Sequence, residues 1–322
     1  MSNDISVHHE WDPLREAIIG IGDDMVIYSY YDGISFVGEP AISFMKQWGG
    51  HKLGDIDPDT QRIIPEEIAG AEKLLNERGI VTHRCHLLND EQKAYLADEY
   101  KGHNLLFPRD PILVIGNTII ELSIRQPMRR KERWAIRHVI QSVLKEKKGQ
   151  YIAMPPASPG LDEIGPFLEG GDVLLNGTEI YVGHSGRASN RAGIDWLRDF
   201  LGKPYHITEV PLSPDFLHLD CALSLLRPGL GLICESAFRE QLPASLQGWE
   251  FIQVTEEEAH RLGTNVLILD ENTVMVPARH RRIIGELKQR GHEVIETPFS
   301  RIASYGGAFR CWHHPFIREG SL

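Results

Sequence analysis

The residues best suited to chemistry in this chain are a cysteine near its C-terminus and a set of polar side chains far upstream. Cys311 lies in the stretch Gly306 to His314, which reads GGAFRCWHH. A thiol can act as a nucleophile, a histidine as a general acid or base, and carboxylates gathered in one place require a cation. The upstream candidates, each just before or at the opening of a predicted hairpin, are Arg109, Asp110, Glu169, Asp172, His218, Asp220 and Asn265.

Two explanations of Cys311 compete with a nucleophile: a metal ligand and an ordinary buried thiol. His313 and His314 follow closely, as zinc ligands could, but they would point to opposite sides of an extended segment. The chain offers no second CxxC or HxxxH pair, so we expect no metal site. If Cys311 is the nucleophile, Gly306 and Gly307 would leave space for a substrate beside it.

An organic cation is the other candidate for the carboxylates. A planar guanidinium presents N–H donors in a fixed fork that suits them. Asp110 and Asp220 would clamp it from two sides while Cys311 attacks its central carbon. His218 would protonate the leaving amine, and Glu169 would hold His218 or a guanidinium nitrogen. Carboxylates raise the pKa of a nearby thiol, and a bound cation reverses that effect.

Each of these residues also has an ordinary structural explanation. Asp110 precedes a proline, as turn-starting residues often do, and His218 could be a hydrogen-bonded core histidine. For Asp172 we favour a structural role, in which its carboxylate accepts backbone N–H groups. Cys221 follows Asp220 on a predicted strand and would point to the opposite face, as core filler.

Four pairs of short apolar strands around tight turns organise the chain. The turns carry Gly-Asn, Asn-Gly, Pro-Gly or Asp-Glu-Asn, which suit hairpins. Val, Ile and Leu occupy both faces of the strands, which predicts burial on both sides. The predicted hairpins are Ile112 to Leu122, Val173 to Gly183, Leu223 to Ile233 and Val266 to Val276.

Helical and extended segments follow several hairpins and make a repeating strand–strand–helix–strand unit. Apolar residues at three- and four-residue spacing predict helices, and short extended stretches come after them. The helices are Arg130 to Leu144, Asn190 to Leu201 and Arg281 to Arg290, and the extended stretches are His206 to Val210, Phe251 to Val254 and Glu293 to Glu296.

A fifth unit is split near the N-terminus. Leu14 to Ile21 would be its first strand, Pro65 to Arg78 its helix and Ile80 to Arg84 its last strand. We interpret residues 22–62 as an insertion or lid. Five such units favour a closed α/β propeller with pseudo-fivefold symmetry, as a single domain over residues 1–322. Equivalent positions of a ring point to one end of its axis, so the polar candidates and Cys311 are expected to converge.

Composition excludes several classes of protein. The chain has 322 residues, 42% of them hydrophobic and 25% charged, as is typical of a globular protein with a sizeable core. A net charge of −11 argues against a nucleic-acid partner. No apolar run is long enough to predict a membrane span. The four cysteines are widely spread and no secretory signal is visible, so we expect a cytoplasmic protein.

These residues, in this order, resemble the guanidino-group-modifying superfamily, and the chain looks most like its amidinotransferases. The similarity covers nearly the whole chain, through EWDPLREAIIG, FPRDPILVIGNTIIE, NVLILDENTVMV and GGAFRCW. The resemblance implies a five-bladed α/β propeller of ββαβ modules and no metal or organic cofactor. It implies that Cys311 is the nucleophile, His218 the general acid/base and Glu169 its carboxylate partner. Asp110 and Asp220 would be the guanidinium clamp.

Parts of the resemblance point to another branch of the superfamily. Residues 169–172 read EGGD, where glycine amidinotransferases carry an FDAAD-like motif, and both EGGD and the pair Arg310-Cys311 resemble arginine deiminases. For the arginine that binds the α-carboxylate of the donor, Arg239 is near the expected place, and the alternatives are Arg187 and Arg109. Asp172 and Asn265 complete the expected substrate-binding set.

Three functions are compatible with this interpretation. The first is amidino transfer from L-arginine, or a related guanidine, to a small amine through an amidino-cysteine. The second is hydrolysis, in which water replaces the amine. The third is a non-catalytic propeller that binds guanidino compounds or a protein partner. We expect a small-molecule guanidine donor and amine acceptor as partners; the identity of the acceptor and the formation of a homo-oligomer stay open.

Overall fold

Five three-stranded sheets built on one plan make up the fold, in a computed structural model that describes residues 4–158 and 164–322. In every sheet the first two strands are antiparallel and the third lies parallel to the second. A parallel third strand needs a crossover connection before it, because a tight turn cannot reverse the chain twice. The predicted propeller of ββαβ modules is confirmed.

The strands follow one another around the ring in chain order. β1 (Leu14–Ile19) and β3 (Val81–Arg84) belong to the first sheet, and β2 (Ile21–Val26) pairs separately with β4 (His103–Leu105). The second sheet contains β5 (Ile112–Ile115), β6 (Thr118–Glu121) and β7 (Gln150–Ala153), and the third contains β8 (Val173–Asn176), β9 (Glu179–His184) and β10 (His206–Pro211). The fourth sheet contains β11 (Leu223–Arg227), β12 (Leu230–Ile233) and β13 (Glu250–Gln253). The fifth contains β14 (Leu267–Asp270), β15 (Thr273–Pro277) and β16 (Glu293–Thr297).

Helices supply the crossovers of four sheets, whereas the fourth sheet crosses through short 3-10 turns at Glu235–Ala237 and Ala244–Leu246. The helices pack an apolar stripe on their own sheet and begin at recognisable caps; Asn190, for example, accepts the backbone N–H of Gly193 at 3.0 Å. The helices are α1 (Glu39–Trp48), α2 (Leu53–Ile56), α3 (Pro58–Asn76), α4 (Asp90–Ala94), α5 (Glu132–Glu146), α6 (Arg191–Leu201), α7 (Glu256–His260), α8 (Arg281–Gln289), α9 (Ser300–Ala303) and α10 (Phe309–Trp312).

The last strand of the chain closes the ring. β17 (His313–Arg318) pairs antiparallel with β1, so that Ile18 lies opposite His314 and Ile19 opposite His313. β1 is therefore the middle strand of the first sheet. The prediction that Leu14 to Ile21 is the first strand of that unit was wrong, because the first strand comes from the other end of the chain.

Alternate residues of the strands enter different hydrophobic cores. In β8, Val173 and Leu175 pack into a core shared by the first three sheets, whereas Leu174 packs into one shared by the third, fourth and fifth sheets. A third core joins the fifth sheet to the first and contains Trp312. Both faces of the strands are buried, as their apolar composition predicts. Among residues 4–158 and 164–322, no helix is both long enough and apolar enough to cross a membrane.

Residues 22–62, interpreted above as an insertion or lid, consist largely of regular elements. They include most of β2, a 3-10 helix at Asp32–Val37, α1, α2 and the start of α3. α3 begins at Pro58 rather than at the predicted Pro65. Asp57 caps it by accepting the backbone N–H of Thr60 at 2.9 Å, and a proline is well tolerated in the first helical turn.

Ring closure by β17 makes a testable prediction about stability. Phe316 is fully buried in the core shared by the first three sheets. Its replacement by alanine should lower the free energy of unfolding by about 3–5 kcal/mol, because it leaves a cavity at the ring junction. Urea denaturation measures the change. The matched control is Phe200→Ala, since that ring is 40% exposed and should cost about 1 kcal/mol or less. Equal losses would show that β17 is not part of the core.

Candidate active site

The polar candidates lie at equivalent positions of successive sheets and come together in one buried cluster. Asp110 precedes β5, Glu169 precedes β8, His218 precedes β11, and Asn265 precedes β14. Cys311 lies in α10, directly before β17. Each residue is at most 4% exposed. The ring thus brings together residues that lie about 40–60 positions apart in the sequence. This is expected, because equivalent positions of a closed repeat face the same end of its axis.

Asn265 anchors the turn that carries Cys311. Its Oδ1 accepts the backbone N–H groups of Ala308, Arg310 and Cys311 at 3.1–3.2 Å. Its Nδ2 donates to the Cys311 sulfur at 3.2 Å. One fully buried amide therefore both shapes the short helix and stabilises negative charge on the sulfur. We predicted Asn265 to bind substrate, whereas its observed partners make it a positioning residue.

The glycine pair before Cys311 is explained by backbone conformation and close packing. Gly306 has a φ of +92°, in the left-handed region that favours glycine. A Cβ on Gly307 would come within 2.5 Å of the Phe107 ring. Gly307 therefore allows close packing of the loop on Phe107, and the expectation that it leaves room for a substrate was wrong.

His218 lies between two carboxylates. Its Nε2 is 2.8 Å from Glu169 Oε2, and its Nδ1 is 3.7 Å from Asp110 Oδ1. Glu169 also accepts the backbone N–H of Arg125 at 3.0 Å, which fixes its orientation. Burial lowers the pKa of His218, but Asp110, Glu169 and Asp172 outweigh it and raise that pKa to about 10. The imidazole is therefore protonated at neutral pH and ready to act as an acid.

Asp220, together with Asp110, acts on Cys311. Asp220 Oδ2 lies 3.7 Å from the Cys311 sulfur and accepts from Arg310 Nη1 at 3.1 Å. Asp110 accepts the backbone N–H of Gly171 at 3.1 Å. Burial first, and then the charges of Asp220 and Asp110, raise the pKa of the Cys311 thiol well above its ordinary value. Without a bound cation the thiol is protonated and unreactive.

Two predicted substrate-binding residues, Asp172 and Arg109, have partners within the protein. The Asp172 carboxylate accepts the backbone N–H groups of Leu219 at 3.1 Å and Ser189 at 3.2 Å, and burial raises its pKa to about 7. It braces the loops of two neighbouring sheets, which is the structural role favoured above. The Arg109 guanidinium points to the carbonyl of Arg310, at 3.1 Å.

The expected carboxylate-binding arginine is not in the buried cluster. Arg239 is exposed, and its backbone N–H donates to the carbonyl of Pro211 at 3.1 Å. Arg187 Nε donates to the carbonyl of Pro214 at 3.3 Å, and its guanidinium lies 5.4 Å from the centre of the Phe36 ring. Arg187 thus contacts residues 22–62, whereas Arg239 contacts none of the clustered side chains.

Sequence reasoning missed Arg129, which contacts the clamp directly. Its Nη1 donates to Asp110 Oδ2 at 2.7 Å, and its Nε and Nη2 donate to Glu132 at 2.8 Å each. Tyr28 donates to the same Glu132 carboxylate at 3.1 Å. The basic run Arg129-Arg130-Lys131 reads as a solvated helix start, so only the i,i+3 spacing of Arg129 and Glu132 could have suggested a pair.

Cys221 is also nearer to the cluster than the sequence predicts. Its sulfur lies 3.6 Å from Asp220 Oδ1, so the two side chains do not point to opposite faces. The alternation rule for strands does not hold here, because Leu219–Cys221 is a turn of 3-10 helix that precedes β11.

The described residues contain one group that could hold a metal ion. Ligand atoms of Asp110, Glu169 and His218 lie within 4.8 Å of one another. Arg129 and the backbone N–H of Gly171 already occupy Asp110, and Glu169 already accepts the backbone N–H of Arg125 and pairs with His218. His313 Nδ1 pairs with the carbonyl of Phe309 at 2.8 Å, which removes it as a ligand partner for Cys311. This arrangement favours an organic cation over a metal.

Known proteins with related sequences and structures modify guanidino groups. A family model described as "N,N dimethylarginine dimethylhydrolase, eukaryotic" matches residues 72–318. An uncharacterized Bacillus subtilis protein, YkgA, is 30% identical over 244 residues, which cover 71% of this chain and 80% of that protein. Mitochondrial glycine amidinotransferase of Gallus gallus is 25% identical over 98% of this chain and 83% of its own.

A solved structure shows the same fold over the full length. Inosamine-phosphate amidinotransferase from Streptomyces griseus superposes with a TM-score of 0.87 at 23% identity, over 100% of this chain and 99% of its own. At that identity the likeness concerns the fold, and the side chains of this chain must supply the argument about its chemistry.

The carboxylates around His218 predict a pH dependence. The folded-state pKa of about 10 exceeds the ordinary value of 6.5. The protonated imidazole therefore stabilises the fold fully below about pH 6.5, and that contribution is lost as pH rises through about 10. The stability difference between wild type and His218→Gln should fall over this range. NMR of 13C-labelled histidine checks the midpoint directly, with His218→Gln assigning the signal; a midpoint near 6.5 would contradict the prediction.

Proposed function

The chain belongs to the amidinotransferase family of the guanidino-group-modifying superfamily, and on that premise we propose that Cys311 takes the amidino group of L-arginine, or a related guanidine, and passes it to a small amine. The observation that carries the proposal is the position of the Cys311 sulfur. It lies 3.2 Å from Asn265 Nδ2 and 3.7 Å from the Asp220 carboxylate, in the buried cluster that contains the His218–Glu169 pair.

Binding of the donor switches the nucleophile on. The guanidinium settles between Asp110 and Asp220 and offsets the negative field that holds the proton on Cys311. The thiol then releases its proton to solvent water, because His218 is already protonated, and the Asn265 amide stabilises the thiolate. Because only a cation lowers the thiol pKa in this way, the site becomes reactive when its substrate is present.

The first half-reaction breaks a C–N bond of the donor. The thiolate attacks the central guanidinium carbon and forms a C–S bond, and His218 gives its proton to the leaving amine nitrogen. The amine departs with the electron pair of the broken bond, and an amidino group stays on Cys311. Glu169 holds the imidazole in place at 2.8 Å throughout.

The second half-reaction reverses these roles. The acceptor amine attacks the carbon of the amidino-cysteine, and the now neutral His218 takes a proton from its nitrogen. The C–S bond breaks, and the sulfur leaves with the electron pair as a thiolate near Asn265. The new guanidinium carries the amidino group away, His218 is again protonated, and the thiolate takes a proton from solvent water once the cation has left.

Residues 22–62 supply the barrier to water that transfer requires. Tyr28 contacts Glu132 at 3.1 Å, and Tyr31 hydrogen-bonds to Gln126, which links the segment to the residues beside Asp110. A covalent intermediate that meets water before it meets an amine is hydrolysed. We therefore assign to this segment the role of a lid over the amidino-cysteine.

Hydrolysis is the second candidate function. The matched family model is described as a hydrolase, and the EGGD motif at residues 169–172 resembles arginine deiminases. The two functions share the first half-reaction and differ in the second nucleophile. The cytoplasmic location and the oligomeric state remain predictions.

The products separate transfer from hydrolysis. With arginine alone, transfer predicts at most one turnover of ornithine per protein, because the amidino group stays on Cys311. Added glycine, lysine or another amine should start continuous release of ornithine together with a new guanidine, as chromatography with mass detection would show. Citrulline and ammonia formed at full rate without any amine would instead establish hydrolysis.

The covalent step makes a separate prediction. Wild-type protein quenched with acid after mixing with arginine should gain about 42 Da in intact mass, as expected for an added CH2N2 group. Cys311→Ala should show no gain. Cys234→Ala is the matched control, because that thiol is also buried and should leave the gain intact. A wild type that no guanidine labels would contradict both catalytic functions.

A further inference from the structure

A small cavity lies among residues of the N-terminal segment, the loop before β5, the start of β8 and β17. The volume open to the centre of a water-sized sphere is about 10 Å³, which suits one small particle. The polar residues that line it are His9, Glu10, Arg109, His314 and Arg318, and apolar side chains complete the wall. None of them takes part in the proposed amidino transfer, so the cavity needs its own explanation.

Buried positive charge exceeds negative charge around this cavity. Arg310 is held by Glu10, at 3.0 and 3.2 Å, and by Asp220 at 3.1 Å. Arg109 and Arg318 have no carboxylate within 4.0 Å among residues 4–158 and 164–322. The three arginines therefore share two contacting carboxylates, and each guanidinium is 2–3% exposed. From beyond contact distance Glu10 and Asp220 act on Arg109, and Glu10, Asp12 and Asp270 act on Arg318, so a counter-charge in direct contact would add to a compensation that is only partial.

The two remaining guanidinium groups donate only to neutral atoms. Arg109 donates to the carbonyl of Arg310 at 3.1 Å and contacts His313 Nε2 at 3.3 Å. Arg318 donates to the carbonyls of Asp12 and Ile268, the latter at 2.9 Å. Burial lowers the pKa of Arg109 to about 9 and that of Arg318 to about 10, so both are charged at neutral pH.

His314 adds a buried donor to the lining, and its ring also interacts with the Arg109 backbone. Its Nε2 accepts the backbone N–H of Val114 at 3.1 Å, so a neutral ring carries its proton on Nδ1. Burial and then the charge of Arg109 lower the pKa of His314 well below its ordinary value, which keeps the ring neutral. Nδ1 is fully buried and makes no hydrogen bond within the described ranges. The nitrogen that His314 can offer the cavity is therefore an N–H donor.

The polar groups that are still available at the cavity favour an occupant that accepts hydrogen bonds or carries negative charge. Both Glu10 oxygens are already occupied, by Arg310 and by the backbone N–H of Leu175 at 3.1 Å. The groups left to bind an occupant are cationic or N–H donors, and the cavity admits a single small particle. We propose that this cavity binds a chloride ion, held by Arg109, Arg318 and His314.

Such an ion would stabilise the backbone around Cys311 through Arg109. The backbone N–H of Arg109 donates to the Cys311 carbonyl at 3.3 Å, and its Nε donates to the carbonyl of Arg310. Arg310 in turn reaches the clamp residue Asp220. A counter-charge for Arg109 therefore stabilises the arrangement of both clamp and nucleophile. This inference does not depend on which guanidino reaction the protein performs.

Bromide provides a direct test, since it replaces chloride and scatters anomalously. Crystals of the wild-type protein grown in sodium bromide should show an anomalous peak in the cavity, in contact with the Arg109 guanidinium and His314 Nδ1. Absence of a peak in a well-ordered cavity would mean that water occupies it, and would overturn the proposal.

Thermal unfolding gives an independent readout. At constant ionic strength, replacing sodium gluconate by sodium chloride should raise the Tm of the wild type by a few degrees, with saturation, because the ion binds only the folded state. Equal Tm values in the two salts would also overturn the proposal.

A pair of variants locates the effect. His314→Gln keeps an acceptor for Val114 N–H and removes the donor from the cavity, so the chloride-dependent rise should shrink by at least half. His292→Gln is the matched control, because His292 is also a buried histidine whose ring nitrogens have no hydrogen-bond partner within the described ranges, but it does not line the cavity. A full chloride response in His314→Gln would contradict the assigned ligand. If that variant does not fold, the wild-type bromide and salt measurements decide the question.

Discussion

The structure depends on how it compensates carboxylates that are withdrawn from water. Asp110, Glu169, Asp220 and Glu10 are all less than 8% exposed, and burying such groups without partners would cost several kcal/mol each. Each has a partner from a different module or from the closing segment: the Gly171 N–H for Asp110, His218 for Glu169, and Arg310 for Asp220 and Glu10. Arg129, from the same module as Asp110, adds a further positive charge. The buried charges of the site are therefore compensated only when the modules of the ring pack together.

This compensation also sets the resting state of the nucleophile. The carboxylates that would bind a guanidinium keep the imidazole protonated and the thiol neutral while the site holds no cation. Arg129, from the short 3-10 helix before α5, donates to Asp110 and so supplies part of the positive charge that a bound guanidinium would supply in the proposed reaction. In the proposed reaction, a thiol that stays protonated until a cation binds would be protected from other electrophiles.

Ring closure explains why functional residues lie so far apart in the chain. β17 pairs with β1, and α10, directly before it, places Cys311 against Asn265 and Asp220 from two other modules and against the Arg109 backbone from a third. The contacts that depend on closure span about two hundred residues, such as Val114 N–H to His314 and the Arg109 N–H to the Cys311 carbonyl. A cysteine near the C-terminus is therefore what a nucleophile at the ring junction requires.

The sequence by itself determined the modules and the expected convergence. Tight turns between two-sided apolar strands located four hairpins within one or two residues, and the repeat predicted that Asp110, Glu169, His218, Asp220 and Cys311 would meet. These features depend on local backbone geometry and on equivalence between repeats, both of which are visible in the order of residue types.

Only the tertiary structure decided which side chains complete the cluster. Arg129 reads as part of a solvated basic run, Cys221 reads as a strand residue, and Asn265 gives no sign that it will hold three backbone N–H groups of a distant loop. The first strand of the first sheet was misassigned for the same reason, since its source is the opposite end of the chain. Partners chosen by long-range packing leave no periodic trace in the sequence, because the distance between them is set by the closed ring.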